Sequence, residues 1–222
     1  METLKLSGTD VEECAARAAA VLRAGGIILY PTDTLYGLGS DALSDEAVAK
    51  VYALKRREEG KPVHCIVPDL KMAEQYAEVT PTARALARAY MPGALTLILK
   101  KKDGIATGVA RGFETFGIRI PDNAFCLALA LKFGKPYTTT SANVSGQKSE
   151  RDVDTILQQL GDNHYASVLQ KTAIGIDLVI DAGELPERQP STVVNLSGEE
   201  PVILREGAIP NSEIWNVIRS EA

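Results

Sequence analysis

Gly25-Gly26-Ile27-Ile28-Leu29-Tyr30-Pro31-Thr32-Asp33-Thr34-Leu35-Tyr36-Gly37-Leu38-Gly39 is the stretch whose reading decides the fold. Its two leading glycines stop a helix that Thr9 caps, with Glu12 as the capping-box partner and an alanine-rich body running to Ala24. The apolar residues 27–30 follow directly and read as a buried strand. Residues 31–42 read as a loop. Ser44 or Asp45 then opens a helix with Val48, Val51, Tyr52 and Leu54 at helical spacing, which delivers Lys55 and Arg57 at or just beyond its C-terminal end.

Working outward, elements keep alternating. Strands are predicted over residues 63–67, 94–99, 116–120, 137–140, 178–181, 191–196 and 202–204. Helices are predicted over 70–77, 81–90, 124–133 with Gly134 as the stop, 153–160, and from Pro210 onward. The pattern is that of an α/β fold with a mixed sheet. With no internal repeat or low-complexity segment, the polar stretches 101–114 and 182–190 read as loops inside a single domain spanning 1–222. The second of them is placed to cover a site.

At 222 residues and 45% hydrophobic, the chain has enough apolar surface for a substantial core. A formal net charge of −5 argues against wholesale capture of a polyanion and still allows a local basic cleft. Cys14, Cys65 and Cys126 share no Cys-x-x-Cys spacing and read as buried reduced thiols, so no metal site is expected. No apolar run approaches the roughly 20 residues that span a bilayer, and Met1-Glu2-Thr3-Leu4-Lys5 lacks a signal-peptide pattern. A soluble, cytoplasmic protein without membrane contact is expected.

The chemistry concentrates in three loops at strand ends: residues 31–39, residues 138–146, and Ser191-Thr192. Small hydroxyl side chains beside glycines let backbone N–H groups approach phosphate or carboxylate oxygens. Lys55, Arg57, Arg119 and Arg205 supply positive charge beside those loops. Arg119 stands in the apolar run Gly117-Ile118-Arg119-Ile120, where burial is costly without an anion or an acidic partner.

Other motifs fall away. Gly37-Leu38-Gly39-Ser40-Asp41-Ala42 matches G-x-G-x-x-A, yet six residues separate it from the strand and the helix starts later, unlike a dinucleotide fingerprint. There is no phosphate-loop motif and no G-x-S-x-G, and His64 and His164 lack a partner motif; His64 reads as structural. Adenylate formation needs no protein nucleophile. It needs positioning and charge neutralisation, usually with Mg2+ on the phosphates.

Taken in order, PTDTLYGLG, KRR, PGALTLIL, TFGIRIP, TSANVSG, PSTVVN and ILREGAI resemble the YrdC-type threonylcarbamoyl-AMP synthases from about Gly26 to Ile209. The resemblance implies a twisted mixed sheet with flanking helices around a large concave, positively charged cavity. It implies a nucleotidyltransferase that converts L-threonine, bicarbonate and ATP into threonylcarbamoyl-AMP and pyrophosphate. Downstream transfer proteins then carry the product to tRNA position 37, and the family's basic cavity implies a weak tRNA contact as well.

Residue by residue, the resemblance implies that Thr34, Arg119 and Ser191 contact threonine. It implies that Lys55, Arg57, Lys61, Thr115, Thr139, Ser141, Asn143, Ser149 and Arg205 contact ATP, with Lys55, Arg57, Ser141 and Asn143, the K-x-R and S-x-N motifs, as the catalytic residues. The chain departs from the family pattern at Lys61, where many members have Asn, at Ile66, where many have His, and at Pro190, where Glu is usual. Two other readings remain at this point: a paralogue of the same fold acting on another carbamate, and an RNA-binding module without turnover.

Overall fold

The computed structural model describes residues 1–58, 60–161 and 175–220. In chain order the elements begin with β1 (Glu2–Lys5), α1 (Val11–Arg23), β2 (Ile28–Pro31), β3 (Tyr36–Gly39), α2 (Asp45–Lys55) and β4 (His64–Ile66). The middle of the chain forms α3 (Leu70–Ala73), α4 (Pro81–Tyr90), β5 (Leu95–Lys100), β6 (Thr115–Arg119), α5 (Ala124–Phe133) and β7 (Tyr137–Ser141). The last part forms α6 (Val153–Gly161), β8 (Leu178–Asp181), β9 (Thr192–Asn195), β10 (Val202–Arg205) and α7 (Asn211–Ser220).

All ten strands join one mixed sheet in the order β1-β8-β2-β3-β7-β4-β6-β5-β9-β10. Parallel pairs (β1 with β8, β8 with β2, β4 with β6, β5 with β9) interleave with antiparallel ones. Side chains alternate between faces along each strand, and paired residues share a face. On one face Leu29, Leu38, Cys65, Ile118, Leu97 and Val194 lie in adjacent rows. Helices α2 and α6 cover half of that face and α4 and α7 the other half.

The opposite face is treated differently. Around β2 and β8 it is sealed by α1 and α5, which pack Cys14, Ala18, Leu22, Phe125 and Leu129 against Ile28, Tyr30, Tyr137, Leu178 and Ile180. Over β4, β6, β5 and β9 the same face presents His64, Arg119, Thr96 and Val193, none of which belongs to an apolar cluster. Half of one sheet face is therefore left for a ligand.

Several elements sit where expected. Helices α4 and α5 match the predicted bounds, Thr80 and Asn123 cap them, and Gly134 ends α5 in the left-handed region at φ 75. Ser44 caps α2, its hydroxyl accepting from the Ala47 N–H. The capping box at Thr9 does not form: Asp10 is the N-cap of α1, and its side chain makes no cap bond. The helix predicted over 70–77 shortens to α3, because the chain turns at Gln75 and Tyr76 to cross Lys101 at Ala77. Strand β1 lies outside the predicted set, and His164 lies outside the described residues.

Residues 31–42, read as a loop, hide strand β3 inside a hairpin with β2. Its glycines are packing requirements. A Cβ on Gly39 would stand 2.9 Å from both Ile28 Cγ1 and Tyr30 Cε1, and one on Gly37 3.1 Å from Tyr30 Cζ. The Tyr30 ring uses that room to donate its hydroxyl to the Thr138 carbonyl at 3.1 Å and to meet Tyr137 edge-on at 5.5 Å. Gly39→Ala is expected to overpack this contact, costing about 1–3 kcal/mol and lowering the urea midpoint at unchanged slope. A wild-type midpoint would refute the packing role.

Candidate active site

The uncovered half-face forms the floor of a cavity of about 480 Å3, a usual size for a small-molecule site. Thr96, Arg119, His64 and Thr139 line the floor. The walls come from the hairpin turn after β2, the segment after α2, the loop after β7, and residues 187–191 before β9. The stretch 182–190, expected to cover a site, thus contributes Glu187, Arg188 and Pro190.

A single threonine organises the turn. Thr32 Oγ1 accepts from the N–H groups of Thr34 and Leu35, both at 3.1 Å, and donates to the Leu35 carbonyl at 2.7 Å. This side-chain turn fixes the four-residue connection between β2 and β3 and holds the Thr34 hydroxyl 3.1 Å from that of Thr32. Across the cavity, the hydroxyls of Ser191 and Thr96 lie 2.9 Å apart.

Six lining residues are cationic (Arg57, Arg119, Lys148, Arg151, Arg188 and Arg205) against one carboxylate, Glu187. A chain of net charge −5 thus concentrates positive charge in one place. Several of these cations are steered by backbone carbonyls. Arg57 donates to the Lys61 and Pro62 carbonyls at 3.2 and 3.0 Å, Arg188 to the Asp33 carbonyl at 2.7 Å, and Arg205 to the Ser191 carbonyl at 3.0 and 2.8 Å. Carbonyl oxygens orient a guanidinium without cancelling its charge, which suits a polyanionic ligand. Among the described residues, no group of three or more His, Cys, Asp or Glu side chains gathers as a metal cluster.

Of the residues singled out in the sequence, Thr34, Arg57, Arg119, Thr139, Ser141, Ser149, Ser191 and Arg205 line this one cavity. The other four do not. Lys61 is exposed and pairs with Glu58 at 2.8 Å. Thr115 begins β6 on the floor face, about 13 Å along the strand from Arg119. Lys55 is buried beneath the loop after β7, and Asn143 is buried within that loop. Sequence reasoning missed Lys148, Arg151 and Arg188, which sit in polar loops where a cation carries no spacing signal. It also missed that His64 faces the cavity.

The Sua5_yciO_yrdC family model, described as "Telomere recombination", matches residues 20–207. The chain belongs to the Sua5/YciO/YrdC family. A relative from Methanocaldococcus jannaschii is 41% identical over 186 residues, spanning 84% of this chain and 82% of its own length. The threonylcarbamoyl-AMP synthase of Bacillus subtilis is 35% identical over 91% of this chain and 56% of its own. The crystal structure of P. abyssi Sua5 complexed with L-threonine superposes with a TM-score of 0.82 at 30% identity, over 98% of this chain and 60% of that one. The chain thus spans little more than half the length of the last two.

Within this Sua5/YciO/YrdC domain, Lys55 has a definite local task. Its Nζ donates to the carbonyl of Ser141, to the carbonyl of Asn143 at 2.8 Å and to Asn143 Oδ1 at 3.1 Å. Three donors meet three oxygens, and the side chain is 1% exposed. Burial, and then the Arg57 guanidinium, push its pKa down to about 7, while the three oxygens favour the ammonium. The Asn143 amide donates onward to the Val144 and Gln147 carbonyls at 3.0 and 2.6 Å. The K-x-R and S-x-N motifs therefore meet as a fold contact that shapes the loop carrying Ser141.

His64 lies over Gly117, where a Cβ would stand 2.5 Å from His64 Cδ2. Desolvation, then Arg205, Arg57 and Arg119, lower its pKa from 6.5 to about 4, so the imidazole is a neutral part of the floor at neutral pH.

Lys55→Met is expected to orphan buried oxygens and cost roughly 3 kcal/mol in urea unfolding, and Lys55→Arg is not expected to restore it, because a planar fork cannot meet all three. Full recovery by arginine would contradict this account. For His64, the unfolded chain takes up a proton between pH 6.5 and 4 that the folded chain refuses, so stability falls on acidification through that window. The group's share is up to about 3 kcal/mol once the pH has fallen below 4, and His64→Gln is expected to flatten the pH 7 to pH 5 difference by about 2 kcal/mol of it. An unchanged pH dependence would show that the imidazole titrates alike in the folded and unfolded chain.

Proposed function

We propose that this chain is a threonylcarbamoyl-AMP synthase, joining L-threonine, bicarbonate and ATP to give threonylcarbamoyl-AMP and pyrophosphate. The observation carrying this reading is the pairing of features in one cavity. Five cations besides Arg119 suit a triphosphate, and Arg119, near-buried on the floor, suits a carboxylate. The names of the B. subtilis relative and of the threonine-bound P. abyssi structure support it.

In this reading the threonine carboxylate meets Arg119, and its hydroxyl end meets Thr34 and Ser191. Arg57, Arg205 and the Ser141, Thr139 and Ser149 loop hold the nucleotide. Thr115 and Lys61 lie at the margins of that surface, and Lys55 and Asn143 act by shaping the loop. Threonine and bicarbonate supply a carbamate with loss of water; a carbamate oxygen then bonds to the α-phosphorus as the bond to pyrophosphate breaks. No protein nucleophile is needed, and cations that neutralise the departing pyrophosphate stabilise the charge that develops. A magnesium ion is expected to arrive on the phosphates as part of the substrate. The product would pass to proteins that transfer it to tRNA.

Pyrophosphate release from ATP, measured with threonine and bicarbonate omitted in turn, tests the reading. Release is expected only when both are present; release that persists without threonine overturns the assignment. Arg57→Ala is expected to lower kcat/KM for ATP by roughly 10²-fold or more with the fold retained, as for loss of a charge-stabilising donor.

A further inference from the structure

We propose that Asp33 is a positioning residue for substrate recognition: its carboxylate holds the Arg119 guanidinium in place so that the part of the fork lining the cavity meets a substrate carboxylate. This rests on the reading above, in which Arg119 meets the carboxylate of an amino acid.

The two side chains form a buried ion pair, with Arg119 Nη2 2.5 Å from Asp33 Oδ1 and side-chain exposures of 7% and 8%. Arg119 Nε lies in the same environment with no acceptor. A buried donor without a partner is costly, and a retained one calls for an explanation beyond packing. The ion pair alone therefore does not account for this arginine.

Placement separates the roles of the partners. Arg119 lines the 480 Å3 cavity, whereas Asp33 lines a second cavity, of about 430 Å3, that shares Thr34 and Arg188 with the first. Asp33 thus acts from behind the floor and does not compete with substrate inside the site. Repulsion makes such an anchor necessary, because Arg119 faces Arg205 and Arg57 across one cavity, and burial together with Arg119 lowers the Arg205 pKa. Freed of Asp33, the Arg119 side chain has every electrostatic reason to swing away.

Asp33 is itself fixed. Its carbonyl accepts from Arg188 Nη1 at 2.7 Å, and the Thr32 side chain closes the turn around it. The floor and the covering segment therefore fasten to one residue, whose carboxylate takes Arg119 and whose carbonyl takes Arg188.

The test compares the full-length wild type with Asp33→Asn, Arg119→Gln and the double variant, measuring KM for L-threonine and for ATP by pyrophosphate release and L-threonine binding by calorimetry. Asp33→Asn keeps the shape and removes the charge. It is expected to raise KM and Kd for threonine at least tenfold while KM for ATP stays within twofold, a split that general loosening of the fold would not produce. In the Arg119→Gln background the same change is expected to have no further effect on threonine binding. Wild-type threonine affinity in Asp33→Asn, equal losses for threonine and ATP, or losses that multiply in the double variant would each overturn the proposal. If Asp33→Asn does not fold, Asp33→Glu decides: it keeps the charge and displaces it by one methylene, so a smaller loss confined to threonine is expected, and no loss overturns the idea. A wild-type chain that binds no threonine removes the functional reading, and the inference with it.

Discussion

Alternation along a strand is the constraint on which the rest of this molecule depends. Every residue of a ten-stranded sheet must face one side or the other, and each apolar row needs a cover. One side is covered along its length, while on the other α1 and α5 reach only as far as β7 and β4. Beyond that edge an apolar row would be exposed to water, so the sequence changes character in the same rows. Ile28 and Tyr30 give way to His64, Thr139, Arg119 and Thr96. Where a helix stops covering the sheet, the site begins.

Half of the six cations lining that site are held by dipoles, while Arg119, Lys148 and Arg151 pair with Asp33, Glu150 and Glu184. Arg57, Arg188 and Arg205 rest on main-chain carbonyls, as does the buried Lys55 below them. Paired with carboxylates, the same groups would be as well ordered but electrically neutral. Carbonyl anchoring keeps the side chains in place at full charge, ready for phosphate. Arg119 differs because it is buried among other guanidiniums, and a formal counter-charge is what keeps it there.

Much of this was legible in the sequence. Pro81 and Gly134 mark helix ends through backbone rules that act locally, so α4 and α5 could be read residue by residue. Arg119 within the apolar run 116–120 marked a strand that carries a charge needing an anion or an acidic partner. What stayed hidden depends on distant partners. β1 is half-exposed and exists only by pairing with β8, while Gly37 and Gly39 look like turn formers until Tyr30 is seen to need their space. Lys55 was legible as important, since it ends a helix beside Arg57. Its engagement with the Ser141 and Asn143 oxygens was not, because nothing in the spacing says which way an ammonium will turn.

The strand order also governs when the site comes into being. β9 lies beside β5, although nearly a hundred residues separate them, and β8 inserts between β1 and β2, which are neighbours in sequence. Such long-range parallel pairings form slowly, because the intervening chain must be ordered before the contact repays it. A chain synthesised only as far as residue 150 contains Thr32, Lys55 and Arg119. It does not yet contain Arg188, Ser191 or Arg205. The cavity thus cannot be complete until residues 187–205 have been made and have found their places beside β5.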